Sequence, residues 1–308
     1  MKLADTSNFL RDSKTIVSLH LCHWNTAKTK VTAVSPTIGK EFVSQIRQIA
    51  LSNVEAMEEK DQETYNIIGA IDGTVEIAST TDYQNNVSKV VDSFAIPAQA
   101  FRFSPDNFDF FVYDFAYMDK DGKSKNIYCF KRTKKLTYLN KGFMGRVENG
   151  TFKNLTDMHL LATDGSVDLI LTENDVYIFQ HISFERIFHL KNEFLEKTEK
   201  VLMNEELGAA IENFDALKNA VLGDSGYVKR LAKLSDTGDV ALFTRDLTAT
   251  KGVIEEFQLD IRVDTTKEKI IFDNDKQAGN FVKLMQDSYY KTLIGHRKGI
   301  DDRNNTQG

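Results

Sequence analysis

Residues 108–131 read FDFFVYDFAYMDKDGKSKNIYCFK, and this stretch decides the fold class. From Phe108 to Asp119 aromatic residues alternate with polar ones, the period of two of a β-strand. Lys120-Asp121-Gly122-Lys123 has the composition of a turn, and positions 126–131 supply a second strand that folds back on the first. Further short strands are expected at 136–139, 146–152, 159–162, 167–172 and 176–179. Glu148-Asn149-Gly150, Asp164-Gly165 and Glu173-Asn174-Asp175 provide turns between several of them. The pattern predicts a meander of antiparallel strands.

Upstream, 16–24 reads as a strand, 33–35 as another, and 65–71 with 74–79 as a hairpin about Asp72-Gly73. Two helices are expected among these strands. Positions 37–59 carry Phe42, Ile46, Ile49, Ala50 and Val54 at helical spacing, and a second helix runs from a cap at Asp82 to about Phe94. Downstream the period changes. Phe184, Ile187, Phe188, Phe194, Leu195, Val201 and Leu202 form one amphipathic stretch with Ser183 as its cap. Helices are expected at 206–221, 227–234, 240–243, 253–257 and 276–286, with a two-strand element at 259–263 and 269–272. The predicted class is α+β: an antiparallel, strand-rich N-terminal half with two helices, then a mostly helical C-terminal half with a small two-strand element. Domains are expected at 1–182 and 183–300, followed by a polar tail at 301–308.

Composition narrows the function. The 308 residues are 41% hydrophobic and 27% charged, which suffices for a sizeable core. Three prolines leave no room for a proline-rich linker. Cys22 and Cys129 lie in apolar stretches and read as buried thiols, not as a disulfide framework. The first ten residues lack the apolar run of a signal peptide, and no stretch approaches the roughly 20 apolar residues of a membrane span. A cytoplasmic location is the expectation.

Catalytic signatures are missing. The sequence holds no phosphate-cradling glycine loop, no G-x-S-x-G elbow, no H-E-x-x-H and no C-x-x-C. His20, Cys22 and His23 are close in sequence, but on a strand His23 points away from the other two, so they read as packing and hydrogen-bonding residues. Asp106, Asp109 and Asp114 lack the partner lysine spacing of a metal-dependent nuclease and read as solvated strand positions or turn formers. No metal and no cofactor is expected, and the chain reads as a binding protein and not as an enzyme.

The strongest compositional signal is basic. The net charge is −6, yet 122–147 contains Lys123, Lys125, Lys131, Arg132, Lys134, Lys135, Lys141 and Arg146 with no acid among them. Tyr128, Phe130, Tyr138 and Phe143 are interleaved with these cations. Such a ribbon can offer cations to phosphates while its aromatics anchor it to the core. The competing explanation is a sheet edge guarded by lysines. Lys229, Arg230 and Lys233 form a smaller patch on a helix, where a solvated face is the simpler account. Nothing resembles a recognition helix, a zinc finger or an RNA-recognition motif, so binding would be independent of sequence.

Three pieces of the chain resemble the KwaB-like family, the cytoplasmic component of the Kiwa anti-phage system. The first is the ribbon 108–135. The second is Asp175-Val176-Tyr177-Ile178-Phe179 followed by Phe184-Glu185-Arg186-Ile187-Phe188. The third is Arg262-Val263-Asp264, Lys269-Ile270-Ile271 and the run from Asn280 to Tyr290. Family members of this kind end in a short strand with Leu-Thr and a final Tyr; here Leu293-Ile294-Gly295-His296-Arg297-Lys298 takes that place. The resemblance implies defence against phage, binding to double-stranded DNA, self-association as a homodimer or larger homo-oligomer, and work with a small membrane protein, KwaA, that would hold the chain at the inner face of the membrane. It implies no catalytic residue. The expectation is a DNA-binding effector that obstructs phage replication or transcription. The alternatives are a scaffold subunit that contacts protein or membrane without DNA, and a metal-dependent nuclease whose site is unrecognised.

Overall fold

The computed structural model describes residues 3–95, 108–118, 124–133, 145–148, 151–154, 165–237 and 240–301. The expected strands at 136–139 and 159–162, the turn at 120–123, Asp106 and the tail at 302–308 lie outside the described residues. The class is α+β, and the described chain forms two compact units: 1–65 with 70–189, and 66–69 with 190–308.

The first unit is built on an eight-stranded sheet. In chain order its strands are β1 (Ile16–Trp24), β2 (Val31–Val34), β3 (Gln62–Thr64), β4 (Val75–Ser79), β5 (Phe110–Met118), β6 (Ser124–Arg132), β9 (Leu169–Leu171) and β10 (Asp175–Ile178). Between them β7 (Gly145–Glu148) and β8 (Thr151–Asn154) pair with each other as a separate antiparallel ribbon. The order across the large sheet is β2-β1-β5-β6-β9-β10-β4-β3, with β5, β6, β9 and β10 in succession as the meander predicts. All neighbours are antiparallel except β3 and β4. The expected 65–71/74–79 hairpin is therefore corrected: β3 ends at Thr64 and runs parallel to β4.

The decisive strand pair sits mid-sheet and is covered on both faces. On one face Phe111, Tyr113, Phe115, Ile127 and Cys129 pack with Leu10, Ile46, Ala50, Val54 and Met57 from α1 (Leu3–Arg11) and α2 (Lys40–Glu58). On the other, Phe110 meets Phe130, and Phe130 meets Phe188, which follows α4 (His181–Ile187). This double cover explains why aromatics occupy both phases of β5. The helix α1 was not anticipated; its register buries Thr6 and Leu10 against α2. The helix α3 (Gln84–Val91), continued by a 3₁₀ turn to Ala95, places Phe94 flat against His20, with ring centroids 4.5 Å apart.

The second unit is helical: α5 (Lys191–Leu202), α6 (Glu205–Ala210), α7 (Phe214–Leu222), α8 (Ser225–Thr237), α9 (Leu242–Arg245), α10 (Leu247–Glu256) and α11 (Ala278–Met285). Leu207, Leu217, Val221, Leu231, Ile254, Ile270, Phe272 and Phe281 lie in its core. The expected two-strand element exists as β12 (Arg262–Asp264) and β13 (Lys269–Ile271), and a third strand, β11 (Ile211–Glu212), joins β13 in parallel. Finally β14 (Tyr289–Lys291) and β15 (Lys298–Ile300) make a hairpin.

Candidate functional site

The C-terminal end of β6 gathers three cations and one buried carboxylate. Strand β6 is hydrogen-bonded to β5 along its length and to β9 at positions 128–130, and Lys131, paired with the buried Asp168, does not guard a sheet edge. Alternation sends Lys125 and Lys131 to the face of Ile127 and Cys129, and Arg132 to the face of Phe130 and α4. Lys125 is exposed near the start of the strand, roughly 20 Å from Lys131 at the strand rise. The two do not share one contact patch.

Asp168 organises this end. Its Oδ1 lies 3.3 Å from Lys131 Nζ, and its Oδ2 accepts the Arg132 backbone N–H at 3.0 Å. Its own N–H donates to the Phe130 carbonyl at 2.8 Å, and its carbonyl accepts from Phe179 and Gln180. Lys131 also donates to Ser166 Oγ, and its side chain is only 14% exposed. A phosphate reaching Lys131 would therefore compete with a buried aspartate.

Arg132 stands differently. Its Nη1 is buried and makes no hydrogen bond. Burial lowers its proton affinity, the positive charge of Arg186 lowers it further, and Asp168 partly compensates. Arg186 lies in the last turn of α4 and is exposed. Two guanidinium groups thus repel each other across the face of Phe130 and α4, one with an unused donor. A buried donor left unmade costs about 1–3 kcal/mol.

The other sequence candidates are dispersed or not described. Lys123, Lys134, Lys135 and Lys141 and the side chain of Arg146 lie outside the described residues. In α8, Arg230 donates to Gln286 Oε1 at 3.4 Å and accepts from Gln286 Nε2 at its carbonyl, while Lys233 reaches Asn66 Oδ1 at 3.3 Å. Burial depresses the Lys233 ammonium, and Asp301 partly offsets this. Lys229, Arg230 and Lys233 are half-buried, which corrects the expectation of a plain solvated face.

Asp109 and Asp114 are also not simply solvated. Asp109 Oδ2 accepts the Trp24 N–H at 2.8 Å and lies 3.2 Å from His23 Nδ1. Asp114 accepts from Asn126 at 2.9 Å and faces His20 Nε2 at 3.4 Å, while His20 Nδ1 meets Ser35 Oγ at 2.7 Å. Each holds neighbouring strands in register.

One cluster escaped the sequence reading. His181 Nδ1 is 2.7 Å from Glu76 Oε2, and Nε2 is 3.0 Å from Glu185 Oε1, an ion pair without hydrogen-bond alignment. The Tyr65 hydroxyl donates to Glu185 at 3.2 Å, and its ring stacks on His181 at 5.1 Å. Burial opposes the imidazolium, but Glu185 and Glu76 prevail and push its pKa up to about 9. The raised pKa favours the imidazolium at neutral pH, with both ring nitrogens protonated and facing carboxylates. The His181-x-x-x-Glu185 spacing was visible in the sequence; Glu76, on a distant strand, was not.

The fold and this site define a two-unit α+β protein with buried ion pairs in its sheet unit and a cationic end to its central strand. The chain matches the family model described as Kiwa protein KwaB-like over residues 106–295, and it belongs to that family. Family membership makes it a component of Kiwa anti-phage defence. No curated protein and no solved structure gives a match. No helix among the described residues is long and apolar enough to cross a membrane.

Proposed function

We propose that the chain is the DNA-binding effector of a membrane-associated anti-phage complex. It holds duplex DNA through phosphates, without sequence preference, and obstructs replication or transcription. It acts as a homodimer or larger homo-oligomer beside a KwaA-like membrane partner, on the cytoplasmic side. The observation that carries this reading is the acid-free run of eight cations at 122–147. Phosphate oxygens suit such cations, an ammonium as a point charge and a guanidinium through its planar fork of donors.

The test is fluorescence anisotropy of labelled duplex DNA across a salt series. Binding should weaken log-linearly with salt, by about 0.9 of a log unit per phosphate neutralised. Changing Lys131, Arg132, Lys134 and Lys135 together to Glu should abolish it. Arg186→Gln alone should weaken it several-fold and reduce the salt slope by about one contact. If the folded protein fails to bind duplex at low salt, the reading is wrong and a scaffold role takes its place.

A further inference from the structure

The hairpin of β14 and β15 ends in two apolar side chains with nothing over them among the described residues. Leu293 is 92% exposed and Ile294 is 99% exposed. An exposed leucine alone means little. Here, however, the two are adjacent on a loop closed by three hydrogen bonds. Thr292 and Arg297 close it: the Thr292 N–H donates to the Arg297 carbonyl at 2.9 Å, and the Arg297 N–H donates to Thr292 Oγ1 at 2.9 Å. The His296 N–H adds a third bond to the Thr292 carbonyl, also at 2.9 Å.

Below the loop, the ring of Tyr290 lies directly over Gly299, its cross-strand partner, where any Cβ would collide with it. The base is tied to α10. Lys291 pairs with Glu256 at 2.7 Å, Lys298 donates to the Glu256 carbonyl, and the Lys298 ammonium sits 5.8 Å from the centroid of the Phe257 ring. The anchoring holds the tip away from the body instead of letting Leu293 and Ile294 fold back onto it.

Charge and shape select the occupant. Positions 288–300 carry Lys291, His296, Arg297 and Lys298 and no acid. Glu256 answers the two lysines, and Arg297 remains exposed beside the apolar pair. We propose that this hairpin tip inserts into an anionic lipid surface, with Leu293 and Ile294 entering the acyl boundary and Arg297 and His296 at the level of the headgroups. A stable protein partner, including a second copy, needs about 800 Å² per side, far more than two side chains supply. Two adjacent apolar residues on a turn form a rounded cap. A fluid interface accepts a cap without a matching groove, and its anionic headgroups meet the cationic rim. The half-exposed Tyr290 suits the same boundary. This contact is independent of the cationic end of β6 and of DNA.

The experiment is flotation of the full chain with vesicles of phosphatidylcholine alone or with about a third phosphatidylglycerol, a content chosen to give a surface charge of the order found on cytoplasmic leaflets. The chain should float with the anionic vesicles. Leu293→Ser with Ile294→Ser should lower the bound fraction about tenfold or more, and Arg297→Glu should lower it several-fold on anionic vesicles only. Both changes lie on exposed positions, so the thermal midpoint should not move. As a second readout, Ile294→Trp emission should shift to the blue on anionic vesicles; native Trp24 is buried and would not respond. Failure to float, or flotation unchanged in the double serine variant, overturns the proposal. So does a double variant that loses DNA affinity or changes oligomeric state while still floating, which would assign the tip to a base-step wedge or to a second copy.

Discussion

His181 keeps its proton because Glu76 and Glu185 flank it, and that makes part of the stability of the sheet unit dependent on pH. Its folded pKa of about 9 lies above the ordinary 6.5. The imidazolium therefore stabilises the fold in full below about pH 6.5, and the contribution is lost as pH rises through about 9. The size is on the order of 3 kcal/mol. His181→Gln should unfold more readily than the parent at pH 6, and the gap should narrow steadily to pH 10 in thermal melts. A gap that stays constant over that range would refute the assignment. The two cysteines give a simpler forecast. Both are buried and free, and burial pushes both thiols up, with Asp109 adding to the effect at Cys22 and Asp114 at Cys129. Neither should react with a maleimide in the native state at pH 7.5, and both should react in urea. The thiols were legible from the sequence as buried hydrophobes. The ion pairs were not, because Asp168, Glu76 and Asp114 meet their partners across strands whose pairing no local pattern reveals.

The elements that the sequence misread share a cause. Two expected helices are each broken in two by a residue with positive φ, His189 at 54° between α4 and α5, and Asn213 at 63° between α6 and α7. Apolar spacing continues across both breaks, so periodicity alone joins them. At Asn213 the break lets β11 pair with β13, and the Asn213 side chain donates to the Phe272 carbonyl at 3.0 Å, tying the kink to the same sheet. Asparagine tolerates this backbone and a β-branched residue does not. Asn213→Val should cost about 2–3 kcal/mol, combining the lost hydrogen bond with backbone strain. Asn213→Gly, which keeps the backbone and loses only the bond, should cost about 1 kcal/mol or less. Urea midpoints separate the two, and equal losses would mean that the turn is not what Asn213 maintains. By contrast β5 and β6 were readable to within two residues at each end, since a turn-bounded aromatic run has few other ways to bury itself.

At the scale of the whole molecule, the sheet unit and the helical unit each contain a buried apolar cluster. Phe111, Tyr113, Ile127 and Ile170 share a cluster with residues of α1 and α2, and Leu217, Leu231, Ile270 and Phe281 share another in the helical unit. A chain of 308 residues is well beyond the size at which one cooperative transition is the rule. The change from strand to helix near Ser183 is plain in the sequence. The membership of Asn66–Gly69 in the helical unit is not, because that segment has no apolar periodicity and is held in part by Lys233 reaching Asn66. If each core is its own reservoir of stability, damage to one should remain local. Phe130 and Leu217 are both completely buried. Phe130→Ala should cost about 3–5 kcal/mol and Leu217→Ala about 2–5 kcal/mol. In native-state hydrogen exchange, Phe130→Ala should speed exchange in β5, β6 and β9 and leave α7, α8 and α11 near their parent rates, and Leu217→Ala should do the reverse. Acceleration of both sets by either substitution would show that the two cores unfold as one, and the chain would then be a single cooperative body.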